Sequence, residues 1–285
     1  MRKQRVSFLR PRSPLLERFV ARSGKSPLQN PEQIMEALVS DQLRKRVQDR
    51  ERLIQFFLKD RNVVSIDDTQ GLDCDGFIEP LGSSYSEGFR VHISAKSMPV
   101  RRRFTLAHEA CHTFFYELVP ELKFAPHAPD EEEEKLCNAG AAALLIPLKS
   151  LTRRVRTLPT CLDSLRLLAS EYGVSLPTML LRLRGLGLWR VELSIWHRMI
   201  DGSFALDKLY GGPKANWEWI DDCALKAAWQ RRESVFGSSF ISYQDARGIR
   251  RLRPVTFELR HHSDGLIGLW GKGLARQTKS VARLF

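Results

Sequence analysis

Residues 101–112 read Arg101-Arg102-Arg103-Phe104-Thr105-Leu106-Ala107-His108-Glu109-Ala110-Cys111-His112, and the last five spell His-Glu-x-x-His. Positions i and i+4 of a helix lie one turn apart on one face, so His108 and His112 can present both imidazoles to a single cation. Imidazole nitrogen suits Zn²⁺. Glu109 projects about 100° around the helix from His108 and about 60° from His112, which puts it beside such a cation. A carboxylate there can take a proton from a water at the site, the general-base role. Phe104, Leu106, Ala107, Phe114 and Phe115 surround the motif, so the helix is predicted to be largely buried. Buried imidazoles and carboxylates need partners to be tolerated.

A catalytic zinc takes three protein ligands and keeps one open position. The motif supplies two. The next acidic run, Asp130-Glu131-Glu132-Glu133-Glu134, leads into Lys-Leu-Cys137-Asn138-Ala-Gly140 and then Leu144-Leu145-Ile146-Pro147. Together the two stretches resemble the ImmA/IrrE family of metallo-endopeptidases. That family's pattern is R-F-T-x-A-H-E-x-x-H followed by E-x-x-A-N-x-F-A-x-x-L-L-x-P. The resemblance covers residues 60–150 and rests on two separated motifs that agree in order and spacing. It implies a thermolysin-like (gluzincin-type) minimal peptidase core, with a small sheet beside the active-site helix. It makes Glu134 the third zinc ligand, with Glu133 as its competitor, and Asn138 a neighbour of the site one turn later. It also implies a protein substrate, often a helix-turn-helix repressor encoded nearby.

Three positions depart from the pattern: Cys111 replaces a Gly, Cys137 an Ala and Gly140 a Phe. None removes a ligand or the base. Cys111 lies about 60° from His108, on the side away from Glu109. There it either packs as a small hydrophobe or serves as a redox-sensitive thiolate near the cation.

The chain has 285 residues, enough for two domains, with 43% hydrophobic and 27% charged residues. Those fractions are ordinary for a globular protein. The net charge of +12 is not, and it favours contact with polyanions. Five scattered Cys form no disulfide framework and fit a reducing compartment. No apolar run approaches the ~20 residues that span a bilayer, and no signal-peptide core follows the basic N-terminus. The expectation is a cytoplasmic protein with no membrane partner.

Residues 1–30 form a basic lead-in broken by Pro11, Pro14 and Pro27, a candidate nucleic-acid arm or a surface-docked segment. Asn30-Pro31 opens a helix that runs to about residue 59. Val63–Ile66 and Phe77-Ile78 read as strands. Phe89, Val91 and Ile93 alternate with Arg90 and His92, the period of a half-buried strand. We read it as the edge strand that holds an extended substrate beside the motif helix, through backbone pairing. His127, in the Pro-rich loop that follows the helix, is a candidate to cover the site.

Residues 151–189 read as helix, Gly turn, helix: either two helices that close the peptidase core, or a segment similar to a helix-turn-helix, with Arg182 and Arg184 as candidate DNA contacts. Residues 190–285 read as a separate α+β domain of the kind that binds small ligands, with an Asp201-Gly202 hairpin turn and a helix over 217–236. The fold class is therefore α+β in three parts: a peptidase domain over 1–150, the helical segment, and the C-terminal domain. The functional expectation is a zinc endopeptidase that cleaves a transcriptional repressor in a regulatory or stress response. The alternative is a non-catalytic DNA-binding or signal-sensing regulator whose zinc is structural.

Overall fold

Ser13 and Pro14 start the first helix of the computed structural model, which describes residues 13–24, 30–43, 52–119, 122, 129–212, 217–219, 222–244, 247–271 and 274. The Ser13 hydroxyl accepts from the Leu16 N–H at 3.3 Å, and Pro14 at the first helical position needs no N–H partner, which fixes α1 (Pro14–Arg22). Asn30 and Pro31 do the same for α2 (Pro31–Leu43), where Asn30 Oδ1 accepts from the Glu32 N–H at 3.1 Å. The stretch expected to continue as a helix to residue 59 is described only in part. Residues 44–51, including the Arg-Lys-Arg cluster, lie outside the described residues, and α3 spans Leu53–Asp60. The basic residues 1–12 and His127 also lie outside them.

The chain divides into two compact units, Met1–Pro147 and Leu148–Phe285. In the first, β1 (Val63–Thr69), β2 (Gly76–Pro80) and β3 (Phe89–Ser94) form a sheet of order β1-β3-β2. β1 runs parallel to β3 and β2 antiparallel to it. Phe89, Val91 and Ile93 are fully buried, and β3 packs on the helix α4 (Pro99–Leu118), which in turn packs on α5 (Glu131–Leu145). This corrects the reading of Phe89, Val91 and Ile93 as an edge strand: β3 is central, hydrogen-bonded on both sides, and cannot pair with a substrate. Alternating burial reports which face of a strand is covered and says nothing of its neighbours in the sheet. The edge beside the motif helix is β2. The α1 helix is docked on the core, with Phe19 stacked on Phe115 of α4 at 4.3 Å between ring centroids.

The second unit contains α6 (Leu148–Val155), α7 (Leu162–Tyr172), α8 (Leu176–Gly185), β4 (Val191–Arg198), β5 (Phe204–Tyr210), β6 (Trp217–Trp219), α9 (Asp222–Arg231), β7 (Val235–Gln244), β8 (Arg250–His262) and β9 (Gly265–Gly271). Its six strands form one antiparallel sheet of order β5-β4-β9-β8-β7-β6. The helix expected over 217–236 is instead a short strand, the helix α9 and the start of β7. Leu225 and Ala228 of α9 pack against Ile241, Phe257, Leu259, Leu266 and Trp270. The indole N–H groups of Trp196 and Trp270 both donate to the buried Ser194 hydroxyl oxygen, at 2.8 and 2.7 Å. The fully buried Glu258 carboxylate accepts from the Leu162 N–H at 2.7 Å and so ties the start of α7 to β8. The protein is thus a mixed α+β structure, with two sheets among the described residues. Among the described residues no helix is long and apolar enough to cross a membrane.

Candidate metal centre

α4 begins where Met98 is extended and Pro99 takes the first helical position. It packs on β3, β2 and α5, which buries Ala107, Glu109, Ala110, Cys111 and His112. α5 begins at Asp130, whose Oδ1 accepts from the N–H groups of Glu132 and Glu133 at 2.9 and 2.8 Å. Four glutamates in its first turn suit the positive end of the helix dipole. The two helices therefore bring the carboxylates of one against the imidazoles of the other.

Nε2 of His112 lies 3.2 Å from Nε2 of His108. Glu134 reaches the same point, with Oε2 at 3.1 Å from His108 Nε2 and Oε1 at 3.8 Å from His112 Nε2. Each of the three residues offers a ligand atom, and these atoms all lie within 4.8 Å of one another. The outer nitrogens are also held. His112 Nδ1 is 2.6 Å from Oε1 of the fully buried Glu133, and His108 Nδ1 is 3.2 Å from Asn138 Oδ1.

This donor set fits a metal ion. Both Nδ1 atoms face acceptors, and with the proton of each ring on Nδ1 both Nε2 atoms would turn lone pairs toward one spot. Two lone pairs 3.2 Å apart repel unless positive charge lies between them. The surroundings also favour positive charge there. Burial opposes the charging of His108, yet the hydrogen bond to Glu134 and the carboxylates of Glu109 and Glu134 hold its pKa above the ordinary value. The Glu134 carboxyl is lowered, first by its hydrogen bond to His108 and against the effect of burial. Two imidazoles and one carboxylate would supply three ligands to such an ion.

Glu109 is 6% exposed, and burial raises its pKa while His112 and His108 lower it. The carboxylates of Glu134 and of Asp75, just before β2, add to the raising influences. β2 packs tightly on α4. A Cβ on Gly76 would come within 2.8 Å of Thr105 Cγ2 and 2.6 Å of the His92 carbonyl. The absent side chain lets the free edge of the sheet run close beside the motif helix.

The departures from the family pattern fit together. A Cβ on Gly140 would lie 2.6 Å from Cys111 Sγ and 2.9 Å from Met35 Cγ. The larger residue at 111 fills space that the smaller one at 140 leaves. Burial pushes the Cys111 thiol up to about 12 and the Cys137 thiol well above its usual range. Cys111, fully buried against Gly140, packs as a small hydrophobe.

The helical pair α7–α8 has its expected turn, with Gly173 at φ +61° and Ser175 capping α8. Its candidate DNA contacts are corrected. Arg182 is 7% exposed, in the face of α8 that packs inward with Met179, Leu180 and Leu183. Arg184 donates through Nη1 to the Val191 carbonyl at 2.7 Å. Alternate arginines late in a helix look like a basic face, but a long side chain can as well be drawn under the helix to satisfy a strand end.

Two contributors escaped the sequence reading as such. Glu133 orients His112, and its place in line with Cys137, Gly140 and Leu144 at helical spacing was the available signal that it faces inward. Glu132 accepts from the Ser13 N–H at 2.7 Å and so joins α1 to the turn that carries the ligands. No local pattern announces a bond across that sequence separation.

Residues 70–184 match the family model described as IrrE N-terminal-like domain, Peptidase_M78. The match runs through α8, so the α7–α8 pair falls within that domain's span. Among eleven solved chains that match is a "Mycobacterium tuberculosis transcriptional regulator", 14% identical, covering 90% of this chain and 91% of that one at a TM-score of 0.49. No curated protein sequence matches.

Proposed function

We propose that this chain, which carries an IrrE N-terminal-like domain over residues 70–184, is a zinc-dependent endopeptidase acting on a protein substrate. The observation that carries the reading is the convergence of His108 Nε2, His112 Nε2 and the Glu134 carboxylate, with a buried carboxyl at Glu109 beside them. His108, His112 and Glu134 hold the zinc, while Glu133 and Asn138 fix the two imidazole rings and their tautomers. When bound, zinc supplies Lewis-acid polarisation of a scissile carbonyl and of a water. Glu109 takes the proton from that water and delivers it to the leaving amine. The free edge of β2 offers backbone pairing to an extended substrate segment alongside α4, the role first read onto β3.

A structural zinc needs no general base, and Glu109 distinguishes the peptidase from the alternative regulator with a structural ion. The resemblance to ImmA/IrrE peptidases nominates a helix-turn-helix repressor as substrate. Incubation of purified protein with such a repressor, with and without chelator, tests the reading. Cleavage that stops with chelator and returns with added zinc supports it. A repressor left intact under every condition, by protein that holds zinc, opposes it.

A further inference from the structure

The charge of this protein is unevenly divided. The unit Met1–Pro147 has 22 Lys and Arg against 21 Asp and Glu, a net +1, whereas Leu148–Phe285 has 23 against 12, a net +11. Nearly all of the excess therefore lies on the unit built around the six-stranded sheet. Within it, one feature concentrates arginine on protruding backbone. Among the described residues β8 pairs with β9 only from Thr256 to His262, but it pairs with β7 all the way to Arg250. The hairpin from Ser239–Val255 outward thus runs past the end of β9, with the three residues of β6 alongside β7 among the described residues. That ribbon bears Arg247, Arg250, Arg251 and Arg253.

The ribbon also exposes large apolar side chains between its arginines: Phe240 at 52%, Ile249 at 46% and Leu252 at 63%. Arg247, Arg250 and Arg251 are exposed as well. Arg250 is paired with Glu218 at 2.7 Å, but both side chains are about two-thirds exposed, at 67% and 68%, so a phosphate can replace that carboxylate at little cost. Arg253 has a different task. It grips both carboxylate oxygens of the buried Glu192 on β4, at 2.9 and 2.8 Å, and so pins the base of the ribbon to the sheet beyond the end of β9. A rigid base with cationic residues toward the tip is what a polyanion-binding arm needs.

We propose that the β7–β8 ribbon is a binding element for double-stranded DNA, in which Arg247, Arg250 and Arg251 contact backbone phosphates. A two-stranded ribbon fits the major groove, and exposed apolar residues between the arginines can lie against sugar and thymine methyl groups. The proposal moves DNA contact away from α8, where Arg182 is buried and Arg184 is partly buried, to arginines that are exposed, and does not depend on the peptidase reading of the zinc site.

The test uses the full-length protein and a fluorescein-labelled 24-base-pair duplex, with binding followed by anisotropy between 50 and 200 mM salt (~24 base pairs exceeds two helical turns). The variant Arg247→Gln/Arg250→Gln/Arg251→Gln is compared with a control that removes the same charge from the α6 region, Lys149→Gln/Arg153→Gln/Arg156→Gln. The ribbon variant should weaken binding by at least about tenfold at 100 mM salt and lower the slope of log K against log salt by about 2.7, at roughly 0.9 per lost phosphate contact. The control should lose much less. Thermal melting and zinc content check that both variants fold as the wild type does. Equal loss in the two variants would mean diffuse attraction to net charge and would overturn the proposal. So would wild-type protein that fails to bind the duplex, or that binds only single-stranded RNA.

Discussion

Glu133 Oε1 lies 2.6 Å from Nδ1 of His112, the nitrogen turned away from the point where the two imidazoles and Glu134 converge. Adjacent residues in one acidic run therefore serve opposite sides of one ring. Their substitutions should differ in kind. Glu134→Ala removes a ligand and should strip most of the zinc, as His112→Ala should. Glu133→Ala keeps all three ligands but frees the His112 ring, and loss of such an orienting partner typically weakens metal affinity by ~10–100-fold. Glu131→Ala should change little, because that side chain is exposed and pairs with Lys135 along the helix. Competition with a chromogenic chelator measures all four. Full loss of zinc in Glu133→Ala with retention in Glu134→Ala would reverse the assignment.

The compensation between Cys111 and Gly140 predicts a rescue. Gly140→Ala places a methyl 2.6 Å from Cys111 Sγ, and overpacking of this kind costs about 1–3 kcal/mol. Adding Cys111→Ala should recover at least half of that loss, since Met35, the other neighbour, is flexible. Thermal denaturation of the two single variants and the double variant decides it. Additive losses would show that the two positions do not share one space.

How far the sequence reveals this site depends on the range of the interactions. Spacing alone brought His108, Glu109 and His112 to one side of a helix, and the Asn30-Pro31 and Gly173–Ser175 signals placed helix ends where the structure has them. Glu134 came as a ligand from the family resemblance, whereas the orienting place of Glu133 was missed inside one uninterrupted acidic run, although its helical spacing with Cys137, Gly140 and Leu144 puts it on the inward face. The centrality of β3 was hidden for a related reason. Its partners β1 and β2 both precede it in the chain, and the half-buried alternation of Phe89–Ile93 is the same for an inner and an edge strand. Arg182 and Arg184 were misleading because charge at a helix surface says nothing about the strand that will cover it. Residues 217–236 mix aromatic and helix-forming types, and pairing of Trp217–Trp219 with β7 overrides local preference.

The second unit should show a pH-dependent penalty at Glu258. Burial raises this carboxyl above its ordinary value, against the lowering by the Leu162 N–H, Arg260 and the Ser234 hydroxyl. A folded state that binds the proton more tightly than the unfolded chain is favoured at low pH, and that advantage is lost as pH rises through the folded-state pKa. The stability of wild type relative to Glu258→Gln should therefore fall as pH rises from about 4.5 toward neutrality, by up to ~1.4 kcal/mol per pH unit within the window, and level off above it. Urea denaturation of the two proteins at matched pH values measures the difference. A difference that is flat, or that grows with pH, contradicts the assignment.

The central claim is that Glu109 does chemistry beside a zinc held by its neighbours. The most direct measurement is the rate of repressor cleavage by Glu109→Gln against wild type, at equal zinc content. Glutamine keeps the shape of the side chain but cannot accept a proton near neutral pH. The account predicts that this variant retains zinc and captures uncut repressor, while cleavage falls by ~10²–10⁴-fold, the usual scale for lost general-base assistance. Cleavage by Glu109→Gln at the wild-type rate, with zinc fully bound, would contradict it.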